Sequence, residues 1–159
     1  MKRPAIVSCL AAALAVAGCG SDNSTSPSTT TVFTAQLSPA NEVPPVSNAE
    51  SSGRGTAVIT VHSDSNTIDF NVSMNSFPNG TVIRAAHIHP GAAGVAGGVL
   101  VNTGLSSPVT LDNGSGTFTF NGVAAKAEDV TAILAAPQNF YFNIHSAQNG
   151  AGVARGQLR

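Results

Sequence analysis

The stretch Thr67-Ile68-Asp69-Phe70-Asn71-Val72-Ser73-Met74 alternates without a break, with every even position apolar and every odd one polar. Side chains of an extended chain point alternately to opposite faces, so the pattern describes a strand with one face in a core and the other in water. Phe70, Val72 and Met74 are expected inside and Asn71 outside. The same period of two recurs in residues 33–37, 57–62, 82–89, 99–101, 116–120, 140–145 and 153–158, which makes seven or eight strands. Phe118, Phe142 and Ile144 fall on the core parity of theirs. Between the strands stand Asp64-Ser65-Asn66, Pro78-Asn79-Gly80, Asp112-Asn113-Gly114 and Gln148-Asn149-Gly150, the residue types that accept the positive φ of tight hairpins. Short strands between frequent turns predict an all-β fold, an antiparallel sandwich or barrel. One segment, 124–135, departs from the period. It sets Val130, Ile133 and Leu134 at helical spacing and stops at Pro137, which predicts one short helix crossing between strands.

Composition narrows the function classes. Seven Lys and Arg stand against eight Asp and Glu in 159 residues, and only 9% of the chain is charged, where an ordinary soluble domain runs at about 25%. There is no basic stripe to hold nucleic acid and no heptad pattern for a coiled coil. The polar surface must come from Ser, Thr and Asn.

The N-terminus reads as an export signal. Lys2 and Arg3 precede an uncharged run over residues 5–17 that is too short to cross a bilayer stably. The run ends in Val16-Ala17-Gly18-Cys19, which resembles the bacterial lipoprotein box, and the resemblance implies that the Cys19 thiol takes a diacylglycerol. Residues 1–18 are then a signal peptide. Cys9 leaves with it and Cys19 becomes a thioether, so neither disulfide nor thiolate chemistry is expected. A lipidated terminus carries two or more acyl chains and anchors durably to a membrane. Residues 20–31 hold eight Ser and Thr among twelve and almost nothing apolar, a composition that cannot repay chain ordering. Residues 19–31 are accordingly read as lipidated cysteine plus flexible tether, with the folded domain over 32–159. The expected location is a cell-envelope membrane, with the domain outside the cytoplasm.

His87-Ile88-His89 and Asn143-Ile144-His145 carry the densest chemistry in the chain. In each an isoleucine on the core parity lies between polar neighbours, so parity sends His87, His89 and His145 away from the core. Positions i and i+2 on a strand are about 6.5–7 Å apart and a neighbouring strand is about 4.8 Å away, so three such rings can meet on one ion at about 2.0–2.1 Å per nitrogen. The condition is that the two strands be adjacent, or face each other across an open end. Three neutral imidazoles without a sulfur ligand suit zinc or copper, and binding would fade as pH falls through about 6.5, where free imidazoles take up a proton. The other reading is three surface histidines bonded to backbone, with no ion. His62 ends a different strand and is not expected to join them.

The glycine-rich run from His89 to Gly98 has no Gly-Lys-Ser/Thr ending and opens no helix, so it is a loop beside the histidines and no phosphate cradle. No Ser-His-Asp or Cys-His arrangement with a recognisable elbow occurs, and no carboxylate pair flanks a cleft. Glu42 and Arg84 are candidate helpers of a site only by being polar and near these motifs. No enzymatic activity is expected.

With these residues laid out, the region 32–159 resembles the CHRD domain, a module of chordin that also occurs in bacterial secreted proteins. Phe33-Thr34-Ala35-Gln36-Leu37-Ser38-Pro39-Ala40-Asn41-Glu42-Val43-Pro44-Pro45 is similar to its start. Ala86-His87-Ile88-His89-Pro90-Gly91 is similar to its central motif, and Phe142-Asn143-Ile144-His145-Ser146 with Arg155-Gly156-Gln157-Leu158 to its end. The resemblance implies an immunoglobulin-like all-β domain without established enzymatic activity. One position departs: the family often has an acidic residue where this chain has Val153 after Gly152. The growth-factor binding of chordin is not implied for a chain with a bacterial leader.

Two functions follow as expectations. The first is a non-catalytic binding module on the envelope, recognising a protein or polymer through loops and a Ser/Thr/Asn-rich face. The alternative is a copper- or zinc-binding domain built on His87, His89 and His145, for storage or delivery rather than catalysis.

Overall fold

A computed structural model of the chain describes residues 29–159. The expected signal peptide, Cys19 and most of the expected tether lie outside the described residues. Among those described, nine strands form: β1 (Thr30–Leu37), β2 (Arg54–His62), β3 (Thr67–Asn75), β4 (Val82–Pro90), β5 (Val101–Asn102), β6 (Val109–Thr110), β7 (Gly116–Ala124), β8 (Phe140–Ser146) and β9 (Ala154–Gln157), with a single helix, α1 (Ala127–Ala135), between β7 and β8. One antiparallel sheet runs β1-β2-β3-β7 and the other β5-β4-β8-β9, with β6 also paired to β4. The all-β class and the short crossing helix are as the periodicity predicts, and the architecture is a two-sheet sandwich.

Apolar parity builds the core between the sheets. Phe70, Val72, Phe142 and Ile144 are completely buried, and Met74 and Phe118 nearly so. Phe70 and Phe142 meet from opposite sheets with ring centroids 5.6 Å apart and planes at 31°, a tilted contact that adds to simple area burial. The helix buries Val130 and Ile133 and carries Glu128 and Asp129 in its first turn, where the helix dipole favours negative charge.

Several details differ from the expectation. β1 begins at Thr30, before the expected domain start at Val32, because Thr30 and Thr31 pair with His62 and Val61 and the backbone bonds outweigh an unhelpful composition. The strand expected at 99–101 is only Val101–Asn102, and Val99 is 56% exposed. Asp64-Ser65-Asn66 does make the β2–β3 hairpin, with Asn66 at φ 52°. Pro78-Asn79-Gly80 and Asp112-Asn113-Gly114 instead carry the chain from one sheet to the other. In the turn after β8 the positive φ falls on Gly152 at 143° rather than on residues 148–150.

The sheets are tied along one edge, where Ser38 and Arg155 exchange backbone hydrogen bonds of 3.1 and 3.3 Å and Thr34 and Arg159 exchange bonds of 2.8 and 3.2 Å. Gly156 permits this approach of β9 to β1, since a Cβ there would sit 2.2 Å from the Gln36 carbonyl oxygen. A glycine between Arg155 and Gln157 is therefore a packing requirement.

The outer faces of the sheets differ. Asn71 and Ser73 on β3 are exposed, as alternation predicts. On β8 all residues but His145 are buried, Tyr141 and Asn143 on the outer parity included. Two irregular segments cover that face. The first, 38–52, is tied down by Glu42 to Asn143 and by Glu50 to Ser146; the second, 91–99, is tied down by the carbonyls of Val95, Gly97 and Gly98. A surface expected to be wet is a second, polar interior.

Candidate functional site

The histidines meet because β4 and β8 are neighbours in a particular register. Ile88 opposes Phe142 and His89 opposes Tyr141, while His87 opposes Asn143 and Ala85 opposes His145. With Ile88, Phe142 and Ile144 facing the core, His87, His89 and His145 share the outer face, and His145 lies diagonally across from His87. The register shifts between Ile83 and Ala85. That bulge lets Ile83 face the core although it is an even number of residues from His87. The condition set by the sequence is met.

Ring centroids lie 4.9 Å apart for His87 and His145, 5.5 Å for His87 and His89, and 6.0 Å for His89 and His145. One nitrogen from each imidazole lies within 4.8 Å of one from each of the others. The second nitrogens define the tautomers. His89 Nδ1 is 3.1 and 2.9 Å from the carbonyls of Gly97 and Gly98, and His145 Nδ1 is 3.0 Å from that of Gly150. Carbonyls only accept, so both Nδ1 atoms carry the proton and both Nε2 atoms present a lone pair. His89 Nε2 is buried and has no hydrogen-bond partner. His145 Nε2 is 3.1 Å from His87 Nδ1, which donates to it. That separation also suits two nitrogens bound to one ion at about 2.0–2.1 Å, which stand about 2.8–3.4 Å apart at bond angles of about 90–110°.

Electrostatics keeps the cluster neutral. Burial, then the neighbouring His145 and His89, depress His87 to a pKa of about 4. Burial likewise lowers His89 and His145, against the opposing pull of their carbonyl partners. Neutral imidazoles are the ligating form, and oriented rings with carbonyls on the far nitrogen are how metal-binding histidines are held. Among the described residues no sulfur or carboxylate joins the set; Met74 lies in the core.

Other residues called from sequence go elsewhere. His62 pairs through Nε2 with Asp69 Oδ2 at 2.9 Å on the first sheet and stands apart from the three, as expected. The Asp69 carboxyl lies below its ordinary range, chiefly through the Gly122 backbone N–H at 2.7 Å and then through His62. Arg84 is exposed at the bulge of β4. Glu42 is 93% buried and accepts from Asn143 Nδ2 at 3.0 and 3.2 Å. Burial raises its pKa to about 7, against the lowering effects of Arg155 and of the Asn143 bond. Gly152 backs this pair, because a Cβ there would lie 2.7 Å from Glu42 Oε2.

Sequence reasoning missed Tyr141, Asn143 and Arg155 as members of the site. Tyr141 stacks on His89 at 4.9 Å, with planes 6° apart, and also carries the Arg155 guanidinium 4.2 Å from its ring centroid. The available signal was parity: all three share the outer face with the histidines.

No curated protein and no solved structure matches the chain. The family model for the CHRD domain matches residues 33–158, which include every strand-borne residue of the site just described. The chain belongs to the CHRD domain family.

Proposed function

We propose that this CHRD domain holds one zinc or copper ion through His87, His89 and His145, for storage or delivery rather than catalysis. We further propose that lipid on Cys19 displays it at a cell-envelope membrane. The carrying observation is the convergence of three neutral imidazoles, with carbonyls on the Nδ1 of His89 and His145 turning both Nε2 lone pairs into the cluster, where that of His89 is free and that of His145 meets only His87. The buried, partnerless His89 Nε2 fits this reading, since a buried polar atom without a partner is costly unless a ligand uses it. Three protein ligands leave a position that water or an acceptor protein can take. The two buried acids on this face are engaged, Glu42 by Asn143 and Glu50 by Ser146 and Asn149, which accords with holding an ion rather than with acid–base work.

Metal analysis of untagged protein, followed by calorimetric titration with Zn²⁺ and Cu²⁺, tests the ion. One equivalent bound is expected; affinity weaker than about millimolar would leave three histidines held only by backbone carbonyls and by one another. The anchor is tested separately by labelled-lipid incorporation, which Cys19→Ser should abolish while the domain stays folded.

A further inference from the structure

The same polar interior contains a second place where chemistry is left incomplete. A cavity of about 630 Å³ opens beside the β1–β9 edge, walled by Glu42, Val43, Ala93, Arg155 and Arg159 among others. Arg155 is 98% buried. Its Nε donates to the Asn41 carbonyl at 2.7 Å and its Nη1 to the Val95 carbonyl at 2.9 Å, but its Nη2 has no partner. Among the described residues no carboxylate lies within ion-pair distance of it. A guanidinium is always charged, and a buried charge is stable only with a counter-charge and satisfied donors. Carbonyls, the Tyr141 face and, beyond ion-pair distance, the Glu42 carboxyl supply part of this; an anion on Nη2 would supply the rest.

We propose that this cavity binds a small monocarboxylate with an aliphatic body, the carboxylate reaching Arg155 and the chain lying against the apolar lip. Charge selects the head group: Arg155 and Arg159 line the cavity with one acidic side chain, Glu42. One free guanidinium nitrogen beside that acid suits a single negative charge, and a dianionic phosphate would crowd it. The lip selects the tail. Ala40, Val43, Pro45 and Ala93 line the cavity and are all exposed, Val43 to 45%. Such a grouping of exposed apolar residues marks a binding surface. The volume falls within the range of about 300–1,000 Å³ usual for small-molecule sites. Tyr141 separates this site from the histidines, so it stands independently of the metal reading.

The test is calorimetric titration of metal-stripped Cys19→Ser protein with octanoate, acetate, 1-octanol and inorganic phosphate. Octanoate should bind with a dissociation constant below about 1 mM, with acetate and octanol at least about tenfold weaker and phosphate without effect. Ala93→Trp places a bulky ring in the wall at an exposed position and should weaken octanoate at least about tenfold without changing thermal stability; Arg155→Gln should weaken octanoate as much, and because it removes a buried guanidinium it should also lower thermal stability. A double variant His87→Ala/His145→Ala, which leaves the His89 bonds to segment 91–99 and its stacking on Tyr141 in place, should bind octanoate as the parent does. Equal binding of octanol and octanoate, unchanged binding by Ala93→Trp, loss in the histidine variant, or no octanoate binding would each overturn the proposal.

Discussion

β3 and β8 alternate alike in sequence, yet their outer faces live in different solvents. On β3 the odd positions meet water: Asn71 and Ser73 are exposed, and Asp69 bonds to His62 and to Gly122 near the surface. On β8 the corresponding positions lie beneath segments 38–52 and 91–99, so Tyr141 and Asn143 are as buried as the phenylalanines beside them. The same polar alphabet is solvation on one sheet and chemistry on the other. Burial depresses the imidazoles, raises Glu42 and leaves His89 Nε2 and Arg155 Nη2 without partners. An exposed polar face can do none of this, because water satisfies every group and screens every charge.

The comparison can be broken first through what the two sheets share. Phe142→Ala removes a ring that packs on Phe70 from the opposite sheet, and should cost about 3–5 kcal/mol in denaturant unfolding. A loss under 1 kcal/mol would mean that β8 does not depend on that core. A sharper contrast pairs two asparagines. Asn143→Ala leaves the buried Glu42 carboxyl without its donor and should cost about 1–3 kcal/mol, whereas exposed Asn71→Ala should stay within about 0.5 kcal/mol. Equal costs would erase the difference between the faces.

The histidines give the next test. His87→Ala, His89→Ala and His145→Ala should each weaken Zn²⁺ or Cu²⁺ binding by well over tenfold, and His62→Ala on the first sheet should not. Uniform affinity across the four variants would show that the cluster holds no ion.

The smallest effects are in pH, and their signs oppose. Three ordinary imidazoles of pKa about 6.5 would lose about fifty-fold in metal affinity between pH 7.5 and 6. Burial lowers all three here, His87 to about 4, so the loss should be well under fifty-fold, and binding should outlast the pH 6.5 expected from sequence alone. For folding, a lowered histidine means that the unfolded chain binds the extra proton, so stability declines as pH falls from 6.5 toward 4. Glu42, raised from 4.5 to about 7, holds its extra proton in the folded state, so its contribution declines as pH rises through that window. Glu42→Gln should therefore gain in stability relative to the parent between pH 5 and 8, read by thermal unfolding at each pH. A difference independent of pH would mean that Glu42 titrates as an ordinary carboxyl.

Much of this was legible in the chain. Strict alternation placed Phe70, Val72, Phe142 and Ile144 in the core, the spacing of Val130, Ile133 and Leu134 marked the helix, and parity put the three histidines on the face away from Ile88 and Ile144. The turn at 148–150 and the strand at 99–101 were misplaced. Gly152 takes the positive φ in the first because its Cα packs against Glu42 and Asn143, contacts far away in sequence. The second was shortened because, of the three, only Val101 pairs in register with β4, opposite Ile88, while Leu100 gives a single N–H to the Ile88 carbonyl.

The division has a physical cause. Which face a side chain points to is a property of the local backbone, fixed by extended geometry one residue at a time, and so the sequence alone determined that His87, His89 and His145 point outward together. Whether they meet depends on β4 lying beside β8 with Ala85 opposite His145, on a bulge at Ile83–Ala85, and on two loops returning to cover the face. Those are agreements between residues tens of positions apart, such as Asn143 with Glu42 and Arg155 with Val95. No local pattern encodes them, and it is they that exclude water and turn outward-facing polar residues into a site.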